Sequence, residues 1–185
     1  MSLEHYLVSY CAPTLASLKT ANLFRLPWGQ EKAGAAEKLG KLRGPMGERG
    51  VSMEILHEKD DYVLLYVYRR SFLERDLKQP GVQAFLRQNG YRDLTAKGAL
   101  ERLRERFAAG EGFPHEVGLF LGYPLCDGIG FIENRGQGRK CCGCWKVYGD
   151  EQEAKKQFAR YDKCSHIYQR LFREGRSLWQ LTVTA

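Results

Sequence analysis

The segment from residue 51 to residue 68 constrains the fold more than any other. Val51 to Ile55 alternates apolar and polar side chains, and Tyr62 to Tyr68 is apolar on both faces. The polar stretch EKDD at 58–61 lies between them and supplies a turn. Two β-rich runs joined in this way predict a hairpin. Because its second strand has no polar face, we expect that strand to lie in the centre of a sheet.

Helical periodicity accounts for most of the remaining chain. Apolar residues recur every three or four positions from Leu3 to Leu18, and Pro13, which has no N–H, predicts a break at residues 11–12 and a second helix from residue 13. Further helices are predicted at 28–43, 71–78, 80–89, 96–109 with Thr95 as N-cap, 114–121, 124–134 and 150–175. Further strands are predicted at 22–26, 139–148 and 178–183. Since strands and helices do not alternate, these elements indicate an α+β fold with a mainly antiparallel sheet of four or five strands and helices packed around it.

The length and composition favour one soluble domain. A chain of 185 residues with 43% hydrophobic content can bury one core, so we expect a single α+β domain over residues 1–185. The net charge of +7 is spread along the chain without a basic block, which is typical of an ordinary solvated surface, so we do not expect a nucleic-acid partner. No apolar run reaches the roughly 20 residues that cross a bilayer, and the N-terminus does not resemble a secretory signal. These features predict a cytoplasmic protein, without membrane attachment, whose cysteines are thiols.

Two sequence blocks carry a family resemblance. They are CAPTLASLKTANLF at 11–24 and FPHEVGLFLGYPLCDGIGFIENRG at 113–136, the second followed by WKVYGD at 145–150. The chain resembles, over nearly its whole length, an uncharacterised bacterial family catalogued as domain of unknown function 3793. The resemblance implies no activity, cofactor or catalytic residue, so the chemistry has to be argued from the residues.

The stretch RKCCGCWKVY at 139–148 places three cysteines within four positions. On a continuous strand Cys142 and Cys144 share one face, and Trp145 lies on the other, which we expect to be buried. A metal would need further ligands, and the nearest candidates, Cys164 and His166, would point in nearly opposite directions from a helix. We therefore expect no bound metal and cysteines that pack or face solvent, while a redox-active pair stays open.

Cys11 is the candidate nucleophile of an enzyme hypothesis. It precedes the helix expected to start at Pro13, and the positive end of a helix dipole lowers the pKa of a thiol. His115 would act as the base, with Glu116 or Asp127 orienting it, in a cysteine-dependent hydrolase or thiol transferase. The alternative is that Cys11 belongs to the apolar face of its helix and that His115 and Glu116 cap a helix.

A binding hypothesis rests on the glycine-rich region 113–138. Glycine inside a helix costs about 1 kcal/mol relative to alanine, so its repeated use indicates close backbone approach to another element or to a ligand. The adjoining loop RGQGRK carries Arg135, Arg139 and Lys140, which could contact phosphate, although it lacks the strand-to-helix order of a nucleotide-binding loop. The alternative to the enzyme is thus a non-catalytic protein that binds a small ligand or phosphate. The sequence indicates neither a cofactor nor an oligomeric state.

Overall fold

The computed structural model describes residues 2–27, 32–110 and 112–184. The α+β class is confirmed, and the chain divides into two compact units. Unit 1 comprises residues 1–72 and 163–185, and unit 2 comprises residues 73–162. The expectation of a single domain stays a prediction.

The described residues form helices that are numbered here in chain order. They are α1 (Leu3–Leu15), α2 (Lys32–Glu48), α3 (Arg70–Leu77), α4 (Pro80–Gln88), α5 (Ala96–Ala108), α6 (Val117–Phe120), α7 (Leu125–Glu133), α8 (Glu151–Arg173) and α9 (Leu178–Leu181). The strands are β1 (Ala21–Pro27), β2 (Val51–Glu58), β3 (Tyr62–Arg69), β4 (Cys141–Cys142) and β5 (Lys146–Val147). In this part of the chain no helix combines the length and the apolarity needed to cross a membrane.

Unit 1 contains an antiparallel sheet in the order β1-β3-β2. The predicted hairpin is confirmed as β2 and β3, and β3 is the central strand. Tyr66 and Tyr68 are buried, which agrees with a strand that has no polar face. Helix α1 covers the sheet with Leu7, Val8 and Cys11 in the core.

Arg69, at the end of β3, is the largest fully buried side chain of the described residues, with 0% exposure. Its guanidinium donates hydrogen bonds to the carbonyls of Thr14 (2.8 Å), Leu15 (2.6 Å), Arg49 (3.0 Å) and Val183 (2.7 Å). Burial lowers the pKa of this guanidinium below its usual range. The side chain thereby joins the end of α1, the turn after α2 and the segment after α9.

Two predicted helix boundaries in unit 1 are wrong. Pro13 does not divide α1 but lies in its last turn, and its carbonyl accepts hydrogen bonds from the N–H groups of Leu18 (2.9 Å) and Lys19 (3.2 Å). Helix α2 was expected to end near residue 43 but continues to Glu48 with Pro45 inside it. Residues 28–31 of that predicted helix lie outside the described residues.

The strand predicted at 178–183 is also wrong, because Leu178–Leu181 is the helix α9. Ser177 and Gln180 form a reciprocal capping box: the Ser177 hydroxyl accepts from the Gln180 N–H, and the Gln180 side chain accepts from the Ser177 N–H. This pattern is typical of a helix start and outweighs the β-rich composition of the segment.

In unit 2 the predicted helices at 80–89, 96–109 and 124–134 correspond to α4, α5 and α7, and the Thr95 hydroxyl caps α5 by accepting from the N–H of Gly98. The single strand predicted at 139–148 is wrong. The stretch turns back on itself, so that Cys141 and Cys142 in β4 pair with Val147 and Lys146 in β5. Together with the helical α9, this turn explains why the described residues form a three-stranded sheet and a separate two-stranded hairpin, instead of one sheet of four or five strands.

Candidate functional site

A cleft of about 320 Å³ opens in unit 2 between α6, α7 and the β4–β5 hairpin. Aromatic rings form much of its lining, joined by glycines and by a few polar side chains. The aromatic lining residues are Phe113, His115, Tyr123, Phe131 and Trp145. The glycines of the lining are Gly118, Gly128 and Gly143. The lining is thus mostly apolar, with flat ring faces and little side-chain bulk between them.

Asp127 in α7 holds the hairpin against the helix. Its Oδ2 accepts a hydrogen bond from Nε1 of Trp145 (2.7 Å), and its Oδ1 accepts from the N–H groups of Tyr148 (2.8 Å) and Gly149 (2.7 Å). The side chain is buried. A buried carboxylate with three N–H donors is well satisfied, so Asp127 fixes the position of the wall that the hairpin contributes to the cleft.

Trp145 is held by two neighbouring rings as well as at its nitrogen. Tyr123 stacks on it with ring centroids 4.9 Å apart, and Phe158 meets it edge-on at 4.6 Å. The Tyr123 hydroxyl donates to the carbonyl of Cys144 (3.0 Å), and burial raises the pKa of that hydroxyl. These contacts make the aromatic wall of the cleft a preformed surface.

Two glycines permit this close packing. A Cβ added at Gly143 would collide with the ring of Phe158, and one added at Gly130 would lie 2.5 Å from the Cβ of Tyr148. Real Cβ atoms do not approach other heavy atoms so closely. The glycine-rich composition noted in the sequence therefore serves the packing of the hairpin on α7 and α8 in unit 2.

Lys146 and His115 supply polar groups at the cleft. The Nζ of Lys146 donates to the carbonyl of Gly136 (3.0 Å) and lies 5.4 Å from the ring centroid of Phe131. His115 is exposed, and its ring centroid lies 5.2 Å from that of Phe131. Among the described residues, no carboxylate contacts the Lys146 ammonium, so its charge is available to a ligand.

The residues of the enzyme hypothesis belong to two different units of the chain. Cys11 is 0% exposed in unit 1, and burial raises the pKa of its thiol well above the usual range, the opposite of an activated nucleophile. His115 lies in unit 2. Glu116, also in unit 2, is buried, and its Oε1 accepts from the Tyr91 hydroxyl (3.0 Å) and from Nε of Arg106 (2.9 Å).

His115 and Asp127 both line the cleft, but within the described ranges neither Asp127 nor Glu116 is hydrogen-bonded to His115. Glu116 and Asp127 instead hold elements of unit 2 together. The role of Cys11 as a nucleophile gains no support from its surroundings and stays a prediction.

The three basic residues of the RGQGRK loop are exposed and do not line the cleft. Arg135 has a positive φ of 50°, which closes the turn after α7. The Nζ of Lys140 donates to the carbonyl of Gly149 (2.7 Å), and Arg139 is solvated beside it. Sequence reasoning missed Lys146 as the cation at the cleft, since its place there depends on the fold of the hairpin.

The described parts of the chain contain no group of three or more His, Cys, Asp or Glu side chains that could hold a metal ion. Unit 2 is a mainly helical unit that contains an aromatic cleft, and the β4–β5 hairpin forms one wall of that cleft. Comparison with protein families matches residues 7–182 to the family described as protein of unknown function DUF3793, and the chain belongs to that family. Neither the curated proteins nor the solved structures contain a match.

Proposed function

We propose that the protein binds a small aromatic molecule in the cleft of unit 2. The observation that carries the proposal is the ring-lined volume of about 320 Å³, which falls at the lower end of the range of about 300–1,000 Å³ typical of small-ligand sites. Flat, apolar walls favour a planar ligand, because aromatic rings gain from stacked and edge-on contacts in addition to burial. The contacts of Trp145 with Tyr123, Phe158 and Asp127 keep the site preformed, which reduces the ordering cost of binding.

The ligand we propose also carries an anionic group. Two charged side chains line the cleft, and they are used differently. Asp127 directs its carboxylate to three N–H donors of the hairpin, whereas the ammonium of Lys146 contacts a neutral carbonyl and a ring. Because no carboxylate of the described residues contacts the Lys146 ammonium, this charge favours binding of an anionic group beside it. A carboxylate or sulfonate on an aromatic ring has this combination of properties.

Two fluorescent probes test the proposal. The anion 1-anilinonaphthalene-8-sulfonate and its neutral analogue N-phenyl-1-naphthylamine share the same ring system and differ in the sulfonate. Both should bind wild-type protein with a fluorescence increase. Lys146→Met should weaken binding of the sulfonate about tenfold, which corresponds to about 1.4 kcal/mol, and leave the neutral probe unaffected.

A cleft-filling variant links the binding to this site. Gly128 lines the cleft, and a Cβ there would make an ordinary contact of 3.6 Å with Leu119, so Gly128→Leu places side-chain volume in the cleft without a clash of its Cβ. Gly40→Leu in α2 is the matched control, because a Cβ at Gly40 would meet no atom within 4 Å. Binding of both probes should be lost in the first variant and kept in the second. Equal binding by Gly128→Leu and wild type would overturn the proposal.

The cysteine-dependent enzyme ranks behind this proposal. Cys11 would have to ionise to act as the nucleophile, and the burial of its thiol disfavours the charged form. The binding proposal requires only residues that already line one cleft.

A further inference from the structure

Two cysteines, Cys142 and Cys144, lie at the tip of the β4–β5 hairpin, where both are exposed and part of the cleft lining. The other cysteines have different environments, and Cys141, in β4, is half-buried and does not line the cleft. Cys11 and Cys164 are buried, and burial raises the pKa of Cys164 to about 11. Cys126 is exposed, but partial burial and the charge of Asp127 raise the pKa of its thiol. The hairpin tip therefore carries the pair of thiols best placed to react with a solute.

The backbone keeps the pair close together. The N–H of Gly143 donates to the carbonyl of Trp145 (3.0 Å), so residues 143–145 form a tight turn with Cys144 at its apex. Residues two positions apart have Cα atoms at most about 7 Å apart, close to the range of about 4.4–6.8 Å found in disulfides. The intervening residue is glycine, whose backbone adopts a wide range of conformations.

We propose that Cys142 and Cys144 form a reversible dithiol–disulfide couple at the mouth of the cleft, which exchanges with low-molecular-weight disulfides. The thiolate of one cysteine attacks a sulfur of the disulfide RSSR, the S–S bond breaks, and RS⁻ leaves and takes up a proton. The thiolate of the second cysteine then attacks the protein sulfur of the mixed disulfide and releases a second RS⁻. The protein dithiol loses two electrons and two protons, and RSSR becomes two RSH. This couple does not depend on the aromatic ligand proposed above.

Glutathione disulfide is the probe for the test. The reduced protein is equilibrated with increasing ratios of glutathione disulfide to glutathione, quenched with acid, alkylated and analysed by intact mass and peptide mapping. In wild type, Cys142 and Cys144 should lose their reactivity toward the alkylating reagent together, with one midpoint and without retained glutathione. In Cys142→Ser and in Cys144→Ser, the remaining cysteine should retain glutathione as a stable mixed disulfide, because no second thiolate resolves it.

Controls separate this pair from its neighbours. Cys126→Ser and Cys141→Ser should leave the midpoint unchanged, and circular dichroism should show that each serine variant is folded. Wild-type protein that accumulates glutathione on Cys142 or Cys144 would overturn the proposal. A disulfide mapped between Cys141 and Cys142, or between two chains, would overturn it equally.

Discussion

Asp127→Asn is the substitution that tests most directly how the cleft is built. The carboxylate receives three N–H donors, from Trp145, Tyr148 and Gly149. Asparagine has one side-chain oxygen, and when it serves the two backbone N–H groups, its NH₂ group faces the indole N–H of Trp145. Two donors then face each other, and the hydrogen bond to the indole is lost.

The size of the effect follows from these three contacts. A hydrogen bond to a charged group contributes about 1.5–3 kcal/mol, whereas a neutral one contributes about 1 kcal/mol. Asp127→Asn removes one charged bond and reduces two others to neutral bonds, and the relief of a buried charge offsets part of the loss. We expect the hairpin to be destabilised by about 2–4 kcal/mol, an appreciable share of the stability of a domain.

Amide hydrogen exchange measures this change locally. The N–H groups of Tyr148 and Gly149 bond directly to Asp127, and a loss of about 2–4 kcal/mol in the opening free energy makes their exchange about 30- to 700-fold faster. Asp162→Asn is the matched control: Asp162 is exposed on α8, so exchange at both amides should change little. Wild-type exchange rates at Tyr148 and Gly149 in Asp127→Asn would refute the conclusion that this carboxylate holds the hairpin.

Three further predictions concern unit 1. Arg69→Met should lower the free energy of unfolding by about 3–5 kcal/mol in urea titrations, because it leaves four carbonyls without their donor. A loss below about 1 kcal/mol would contradict the conclusion that Arg69 stabilises unit 1 through these hydrogen bonds. Cys11 should resist iodoacetamide in the native protein at about pH 6.5–8.5, because burial raises the pKa of its thiol far above this pH range, and it should react only after unfolding. Rapid labelling of the native protein would restore the nucleophile hypothesis. Burial raises the pKa of Tyr168 to about 12, so the folded state favours the neutral hydroxyl. The stability that this preference contributes is complete below about pH 10, the pKa of an unfolded tyrosine, and is lost as the pH rises toward 12. Tyr168→Phe should therefore flatten the alkaline decline of the unfolding free energy, and an unchanged slope would exclude Tyr168 as its source.

Local sequence signals predicted the elements in which one physical effect dominates. The alternation and turn of 51–68 gave β2 and β3, and the Thr95 hydroxyl marked the start of α5. The errors arose where another interaction compensates for a local penalty. Pro13 remains in α1, where its own carbonyl accepts two N–H groups and Arg69 donates to the carbonyls of Thr14 and Leu15. Residues 178–181 are helical because Ser177 and Gln180 cap them. Neither compensation is visible in hydrophobic periodicity.

The sequence located part of the candidate site. It singled out the glycine-rich region that forms one side of the cleft, and it predicted that Trp145 is buried, as the structure confirms. It left open whether Cys142 and Cys144 pack or face solvent, and both are exposed. The contacts of Asp127 could not be predicted, because its partners follow it by 18 to 22 residues on a hairpin that was expected to be one strand. The spacing of residues along the chain does not predict hydrogen bonds between a helix and a hairpin that follows it by about 20 residues.

Arg69 has a consequence for the order in which a ribosome completes this protein. Unit 2 is one continuous stretch, 73–162, so all the partners of Asp127 have been synthesised before residue 163 is added. Unit 1 is assembled from both ends of the chain, and the Arg69 guanidinium lacks one acceptor until Val183 has been translated. A chain that ends between these points contains every residue of the cleft, whereas the set of carbonyls around Arg69 still lacks one member.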